Sequence, residues 1–294
     1  MSSTLNKSDF ISPINKPRIN NPILRVQNLT KIYGEGCPDC IELTGPAYGS
    51  NICPVCNSIV ACAQISFEVM GGEILGIVGE SGSGKSTTVR CLYYDEEPTA
   101  GEAYLSCCGE QNIFRLSAQK KREIRNFYTG MVYQNPQLGL KLDISAGGNI
   151  AEKLLAANWR HMGKMRERAR ELLEQTEIPI ERMDEIPRNF SGGMQQRIQI
   201  AKALANNPEI LLFDELTTGL DVSVQARILD LIKQIRRITD AGMVLITHDL
   251  GVVRLLADRT LVMKNGRIVE SGLTDQILED PQHEYTQLLV NSVL

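Results

Sequence analysis

The chain has 294 residues, 43% hydrophobic and 22% charged, which excludes global disorder and allows a sizeable core without disulfide staples. With 31 Lys+Arg against 35 Asp+Glu, the formal net charge is −4; a general nucleic-acid binder, which needs excess positive charge to displace counterions from phosphate, is excluded. The longest stretch free of Asp, Glu, Lys and Arg, Leu43–Phe67, is broken by Gly45, Pro46, Gly49, Pro54 and several amides, too polar for a membrane-spanning helix, so no direct membrane insertion is expected.

Residues 1–21 are polar, rich in Ser, Asn and Pro, and have no apolar core. They read as a disordered leader rather than a signal peptide or anchor, so the protein is expected in the cytoplasm. Residues 22–33 alternate apolar and polar side chains, the pattern of a half-buried strand. Residues 34–62 break that pattern and carry five of the eight cysteines. Alternation resumes over 63–70, Gly71-Gly72 marks a turn, and Ile74–Val78 is an unbroken apolar run, as in a parallel strand buried on both faces. A glycine-rich loop and a helix over about 85–94 follow. From about 112 to 200, helical patterns rich in Lys, Arg and Glu dominate, with helices expected over Leu116–Phe127 and Ala151–Glu177. From Ile210 strands and helices alternate again: strand Ile210–Phe213, helix Val222–Arg237, strand Met243–Ile246, helix Leu250–Ala257. Asn265-Gly266 between two short strands is a type I′ hairpin signal. The fold class is therefore α/β, with a mainly parallel sheet core, an N-terminal antiparallel part, a helical subdomain over about 112–200, and a small insertion over 34–62 within one domain spanning 22–294.

Gly79-Glu80-Ser81-Gly82-Ser83-Gly84-Lys85-Ser86 fits G-x-x-x-x-G-K-S between a buried strand and a helix. The glycines let successive backbone N–H groups point into one concavity that holds phosphate oxygens, and the helix adds its N-terminal partial charge. Lys85 reaches the β and γ phosphates, and the Ser86 hydroxyl, followed by Thr87, is placed to ligate Mg²⁺. Ile210-Leu-Leu-Phe-Asp214-Glu215 delivers Asp214 to a strand's carboxyl end, where a carboxylate can hold Mg²⁺, with Glu215 next along to polarise an attacking water. Ser191-Gly192-Gly193-Met194-Gln195 offers a second anion site, a serine cap with exposed N–H groups at a helix start.

At these residues the sequence resembles the ATP-binding cassette (ABC) family over about 22–34 and 63–294. The resemblance implies a P-loop nucleoside triphosphatase fold and hydrolysis of ATP to ADP and phosphate with Mg²⁺. It implies that Ser191–Gln195 complete the phosphate site of the opposite subunit in a head-to-tail homodimer formed with ATP. It further implies that Tyr33 stacks on adenine and that Gln134 senses Mg²⁺ and water. By the same resemblance, Asp221 is expected to be the loop aspartate that meets the partner subunit, and His248 the switch histidine on the γ phosphate. Leu216 departs from the family, which commonly has proline there; the loop behind Glu215 is expected to shift slightly without loss of chemistry.

Cys37-Pro-Asp-Cys40 and Cys53-Pro-Val-Cys56 form C-x₂-C-x₁₂-C-x₂-C. Four thiolates suit a closed, structural tetrahedral Zn²⁺ site; an iron–sulfur cluster, which also takes four cysteines, and an unmetallated turn remain the alternatives. Cys62, Cys91, Cys107 and Cys108 lack partner spacing. Ile144–Ile150, Phe190–Arg197, Gly219–Arg227, Val269–Asp275 and the tail from Asp280 to Leu289 together resemble the cassette subunit of bacterial carbon–phosphorus lyase systems, which break down phosphonates; the Phe190 stretch and the tail also resemble oligopeptide- and nickel-transporter ATPases, and the Ser145–Ile150 stretch and the Gly219 loop discriminate better. That resemblance implies a partner in the lyase core complex, remodelled at the expense of ATP. The alternative is the ATP-binding subunit of an oligopeptide- or nickel-type transporter. A DNA-repair or ribosome-associated cassette would want a long coiled coil or tandem cassettes, and the sequence has neither pattern.

Overall fold

The computed structural model describes residues 22–292; the leader expected over 1–21 lies outside the described residues. Strand β1 (Leu24–Tyr33) pairs antiparallel with β2 (Ile59–Val69) and with β4 (Ala100–Leu105), giving a three-stranded sheet ordered β2-β1-β4. The second sheet has six strands, including β3 (Ile74–Val78), β5 (Thr129–Val132), β6 (Ile210–Asp214), β7 (Gly242–Ile246), β8 (Arg259–Lys264) and β9 (Arg267–Leu273). Its order is β5-β6-β7-β3-β8-β9, parallel throughout except for β9.

The central strands are buried at every position, yet alternate residues serve different cores. Leu211, Phe213, Met243 and Leu245 face the cluster built with α4 (Ala146–Ala156), α5 (Met162–Gln175), α6 (Gly192–Leu204) and α7 (Val222–Ile238). Ile210, Leu212, Val244 and Ile246 face the cluster shared with α1 (Lys85–Leu92), α2 (Ala118–Phe127) and the three-stranded sheet. A sheet covered on both faces needs apolar residues on both, which is why the runs carry no polar alternation. A third cluster packs α8 (Leu250–Leu256), α9 (Thr274–Glu279) and α10 (Glu284–Asn291) against β3 and β8. The Asn265-Gly266 turn adopts positive φ at both residues, 44° and 78°, as a type I′ hairpin requires.

Three sequence boundaries shift. The stretch 112–200 is not helical throughout: β5 lies inside it and pairs with β6 in the main sheet. Its run Thr129–Val132 is too short to carry a period. The helix expected over Ala151–Glu177 is two helices, α4 and α5, broken where Asn158 turns left-handed at φ 63° and His161 caps the next start. The insertion ends earlier than residue 62, because β2 already begins at Ile59.

The segment Ile144–Ile150, read from sequence only as a resemblance, has a physical role together with the residues just before it. Asn149 is fully buried; its side chain accepts from the Lys141 amide at 2.8 Å and donates to the Lys141, Ile144 and Ser145 carbonyls. It thereby satisfies a loop that no strand or helix pairs. Leaving such groups buried and unpaired costs 1–3 kcal/mol for each group not rescued by water. Asn149→Ala is expected to lower the unfolding free energy by about 2–3 kcal/mol, read from denaturant titration, while Asn158→Gly is expected to leave it unchanged or raised.

Candidate functional site

The glycine-rich loop runs from the end of β3 to the start of α1. Its shape is imposed by backbone pressing on it. Gly84 sits at φ 102°, and a Cβ there would lie 2.0 Å from the Ala61 carbonyl oxygen of β2. At Gly79, φ 150°, a Cβ would lie 2.1 Å from the Met263 carbonyl oxygen of β8. Only glycine fits such approaches. Three neighbours tie the loop down: the Gly266 amide donates to the Ser83 carbonyl at 3.0 Å, Asn51 Nδ2 to the Gly82 carbonyl at 3.4 Å, and the Glu80 amide to the Tyr285 hydroxyl at 3.0 Å. Lys85 Nζ donates to the Gly79 and Glu80 carbonyls, both at 2.8 Å. Burial lowers the Lys85 pKa, opposed by the charges of Glu215, Asp214 and Glu80. The Ser83 hydroxyl is buried with no hydrogen-bond partner among the described residues, an orphan that a phosphate oxygen would satisfy.

Opposite the loop, β6 ends at Asp214, which is 2% exposed. Ser86 Oγ donates to Asp214 Oδ1 at 2.6 Å, and Arg90 approaches the other oxygen at 3.8 Å. Burial raises the Asp214 pKa, and the Ser86 hydrogen bond pulls it back. A hydroxyl and a carboxylate in contact are two hard oxygens of the kind Mg²⁺ takes. Glu215 follows in the left-handed region at φ 47°, a conformation that costs a non-glycine residue about 1 kcal/mol or more. It is held there by its amide donating to the Ile246 carbonyl at 3.0 Å and by Thr218 Oγ1 donating to Glu215 Oε2 at 3.2 Å. His248 Nδ1 lies 3.5 Å from the same carboxylate oxygen. Leu216 is buried in the large core, so the side chain that departs from the family pattern anchors the loop behind Glu215.

Tyr33 ends β1 half-buried, with the Lys31 ammonium 4.9 Å from its ring centre. Burial raises its pKa, and Thr87 is near enough to pull it down against burial. Lys85, Ser86, Thr87, Asp214, Glu215, His248 and Tyr33 are therefore brought together. Gln134 follows β5 on an exposed loop. No hydrogen bond among the described residues joins Ser191–Gln195 or Asp221 to the glycine loop. Ser191 caps α6 by accepting from the Met194 amide at 3.4 Å, and Asp221 caps α7 by accepting from the Val224 amide at 3.0 Å. A Cβ on Gly193 would lie 2.3 Å from Val224 Cγ1, so the two helix tips form one surface. Sequence reading missed Arg90, Thr218, Asn51 and Tyr285; Asn51 lies in the cysteine spacer and Tyr285 in the Asp280–Leu289 tail, but neither pattern marks a contact with the loop, and only folding brings each of the four to the loop or the carboxylates.

The insertion, residues 34–58, folds beside the loop. Sγ–Sγ separations are 3.6 Å for Cys37–Cys40, 3.6 Å for Cys37–Cys53 and 3.4 Å for Cys40–Cys56. All four sulfur atoms lie within 4.8 Å of one another, and none forms a disulfide. Tetrahedral Zn–S bonds of about 2.3 Å put sulfurs about 3.8 Å apart, so the donor set fits zinc in number, softness and spacing. The Ser58 side chain and backbone lower the Cys56 thiol pKa to about 6 through hydrogen bonds. Cys40 and Cys53 pack with Val60 and Ala63 of β2, next to Ala61, whose carbonyl presses on Gly84. Cys62 and Cys91 are buried in the core, and Cys107 and Cys108 are half-buried neighbours.

With this geometry in place, a family profile described as "ABC transporter" matches residues 62–218. The chain is 45% identical over 276 residues to the phosphonates utilization ATP-binding protein PhnK of Escherichia coli (strain K12), covering 94% of this chain and 99% of that one. It is 40% identical over 248 residues to the dipeptide transport ATP-binding protein DppD of Bacillus subtilis (strain 168), covering 81% of this chain and 72% of that one. Among solved structures, the dimeric post-hydrolysis state of the cassette MJ0796 bound to ADP and Pi superposes with a TM-score of 0.71 at 29% identity, over 85% of this chain and 98% of that one.

Gly84→Ala is expected to weaken ATP binding at least roughly tenfold, because the new methyl must push the loop off the Ala61 carbonyl. Titration with a fluorescent ATP analogue checks it; unchanged affinity would show that the Ala61 contact does not shape the site.

Proposed function

The chain belongs to the ABC transporter family and is an ATPase of that family, and from this premise we propose that it serves a phosphonate-utilising system as the nucleotide-driven subunit of a carbon–phosphorus lyase complex. The observation that carries the reading is the 45% identity to PhnK extending over 94% of this chain and 99% of that relative; the match to DppD covers 72% of that longer protein. Among the described residues, no helix is long and apolar enough to cross a membrane. The site of action in this reading is the cytoplasm.

In the proposed mechanism, the glycine loop and Lys85 hold the β and γ phosphates of ATP, with Ser83 Oγ finding its partner there. Tyr33 stacks on the adenine. Ser86, Asp214 and Gln134 would hold Mg²⁺, which would supply positive charge to offset that of the phosphates. Glu215, locked by its strained backbone and by Thr218, orients the attacking water and accepts its proton. His248, beside that carboxylate, contacts the γ phosphate and signals its loss. The other half of each site comes from a second copy: Ser191, Gly192 and Gly193 aim amides at the partner's nucleotide, with Met194 and Gln195 seating the helix tip and Asp221 at the seam. The exposed positions of Ser191 and Asp221, with no hydrogen bond among the described residues joining them to the chain's own loop, support this arrangement. ATP between two copies neutralises facing charge and closes them; hydrolysis releases them and moves whatever the helical portion, residues 112–200, touches.

The Cys37, Cys40, Cys53 and Cys56 cluster holds a structural zinc that orders the insertion and, through Val60 and Ala63, keeps Ala61 against the loop. Elemental analysis of purified protein is expected to find about one zinc per chain. Its removal by chelation is expected to lower the melting temperature and weaken ATP binding together; iron in place of zinc, or no metal, overturns the assignment. Glu215→Gln is expected to slow hydrolysis by at least roughly a hundredfold while retaining ATP and trapping a dimer, read by phosphate release and size-exclusion chromatography. The 40% identity to DppD makes a peptide transporter the second reading. Native purification separates the two: lyase subunits co-elute in the first case, membrane permeases in the second.

A further inference from the structure

We propose that Gln199 is a positioning residue that locks Gln134 to helix α6, so that the helix whose tip faces the partner's nucleotide also sets the glutamine at the chain's own site. The inference rests on the roles assigned above to Gln134 and Ser191. Tyr133 directly precedes Gln134 and immediately follows β5, an edge strand of the six-stranded sheet. Among the described residues no strand lies beyond that edge, so the backbone there is paired in another way. The Tyr133 amide donates to Gln199 Oε1 at 2.7 Å, and its carbonyl accepts from Gln199 Nε2 and from Gln196 Nε2, both at 3.1 Å. Gln199 Nε2 also donates to Gln196 Oε1 at 3.3 Å. Each glutamine is 1% exposed. A primary amide offers one donor and one acceptor side by side, so Gln199 answers Tyr133 as a neighbouring strand residue would.

The far end of the segment is held by the same helix. Lys202 Nζ donates to the Gly139 carbonyl at 2.9 Å, and a Cβ on Gly139 would lie 2.2 Å from Gln199 Oε1. The segment 133–139, which contains Gln134, is therefore pinned to α6 at both ends. On its other side the Tyr133 hydroxyl donates to Asp95 at 2.6 Å, and Asp95 pairs with Arg125 at 2.9 Å. Ser191 and Gln199 are eight residues apart on one continuous helix, about 12 Å at 1.5 Å per residue. A helix of that length moves as a rod. Displacement of its tip is transmitted to Tyr133, and through one peptide unit to Gln134.

The test is a double-mutant cycle in the full chain. Gln199→Met has similar length and removes both hydrogen bonds to Tyr133, along with the one to Gln196. Lys202→Met, at a partly exposed position, loosens the Gly139 end and guards against a folding failure of the first variant. Each is expected to lower kcat for ATP hydrolysis roughly tenfold with KM changed less than about twofold, since a positioning error acts on the reaction rather than on ATP capture. In a Gln134→Ala background, neither is expected to lower kcat further by more than about twofold. Multiplying losses in the double variants, or unchanged kcat in both Gln199→Met and Lys202→Met, overturn the inference while leaving the role of Gln134 standing. Unchanged kcat in Gln134→Ala alone overturns both, and is recognised in that single variant.

Discussion

The contact on which the site depends is the approach of two carbonyl oxygens, those of Ala61 and Met263, to two glycines of the loop. These carbonyls belong to β2 and β8, strands of different sheets, so the loop is clamped where the two sheets meet. The clamp fixes the loop's curvature without side chains. Backbone N–H groups are left to face a ligand, and Lys85 is left to span the loop. The Gly266 amide bond to Ser83 and the Tyr285 hydroxyl bond to Glu80 brace the same curve from outside. A loop held from behind costs little ordering entropy when a ligand binds.

Strand order does the rest. β3, β7 and β6 are neighbours in the sheet, so the segments leaving their carboxyl ends converge. Gly79 follows β3, Asp214 and Glu215 end β6, and His248 lies just beyond β7. Parallel strands bring residues far apart in sequence to one edge, which is the general reason such sheets bind ligands there. Asp214 pairs in register with Ile246, and the Ile246 carbonyl also receives the Glu215 amide. The left-handed turn at Glu215 thus uses a hydrogen bond that continues the ladder, and the strain is offset by the strand next to it.

The parts legible in the sequence were those in which chemistry and local geometry share one short segment. The glycine loop, Asp214-Glu215, the capped tip at Ser191 and the paired cysteines each declare themselves within eight residues or as a spacing. The buried strands were legible because unbroken apolar runs leave few other structures. β5 was not, because four residues between two helices carry no period, and its partner β6 is about eighty residues away. The break between α4 and α5 turned on Asn158 adopting a left-handed backbone, which Asn permits but does not announce. Thr218, Arg90 and Tyr285 act at the site only through tertiary contact, so no local pattern could mark them.

The insertion poses a separate energetic question. Residues 34–58 contribute few buried apolar side chains; their cluster consists of Cys40 and Cys53 with Val60 and Ala63 of β2. Ordering a backbone costs about 1–2 kcal/mol per residue, more than a cluster so small returns through burial. Backbone bridges such as Gly45–Ser50 and Ile52–Ile59 contribute only modestly once exchanged against water. Bonds from four thiolates to one ion are of the right size to close the difference, since structural zinc sites supply folding energy directly. The insertion follows Tyr33 and leads into the strand that presses on Gly84, so its ordering reaches both Tyr33 and the glycine loop. An element with so little core of its own has reason to sit there if its stiffness is what the neighbouring loop uses.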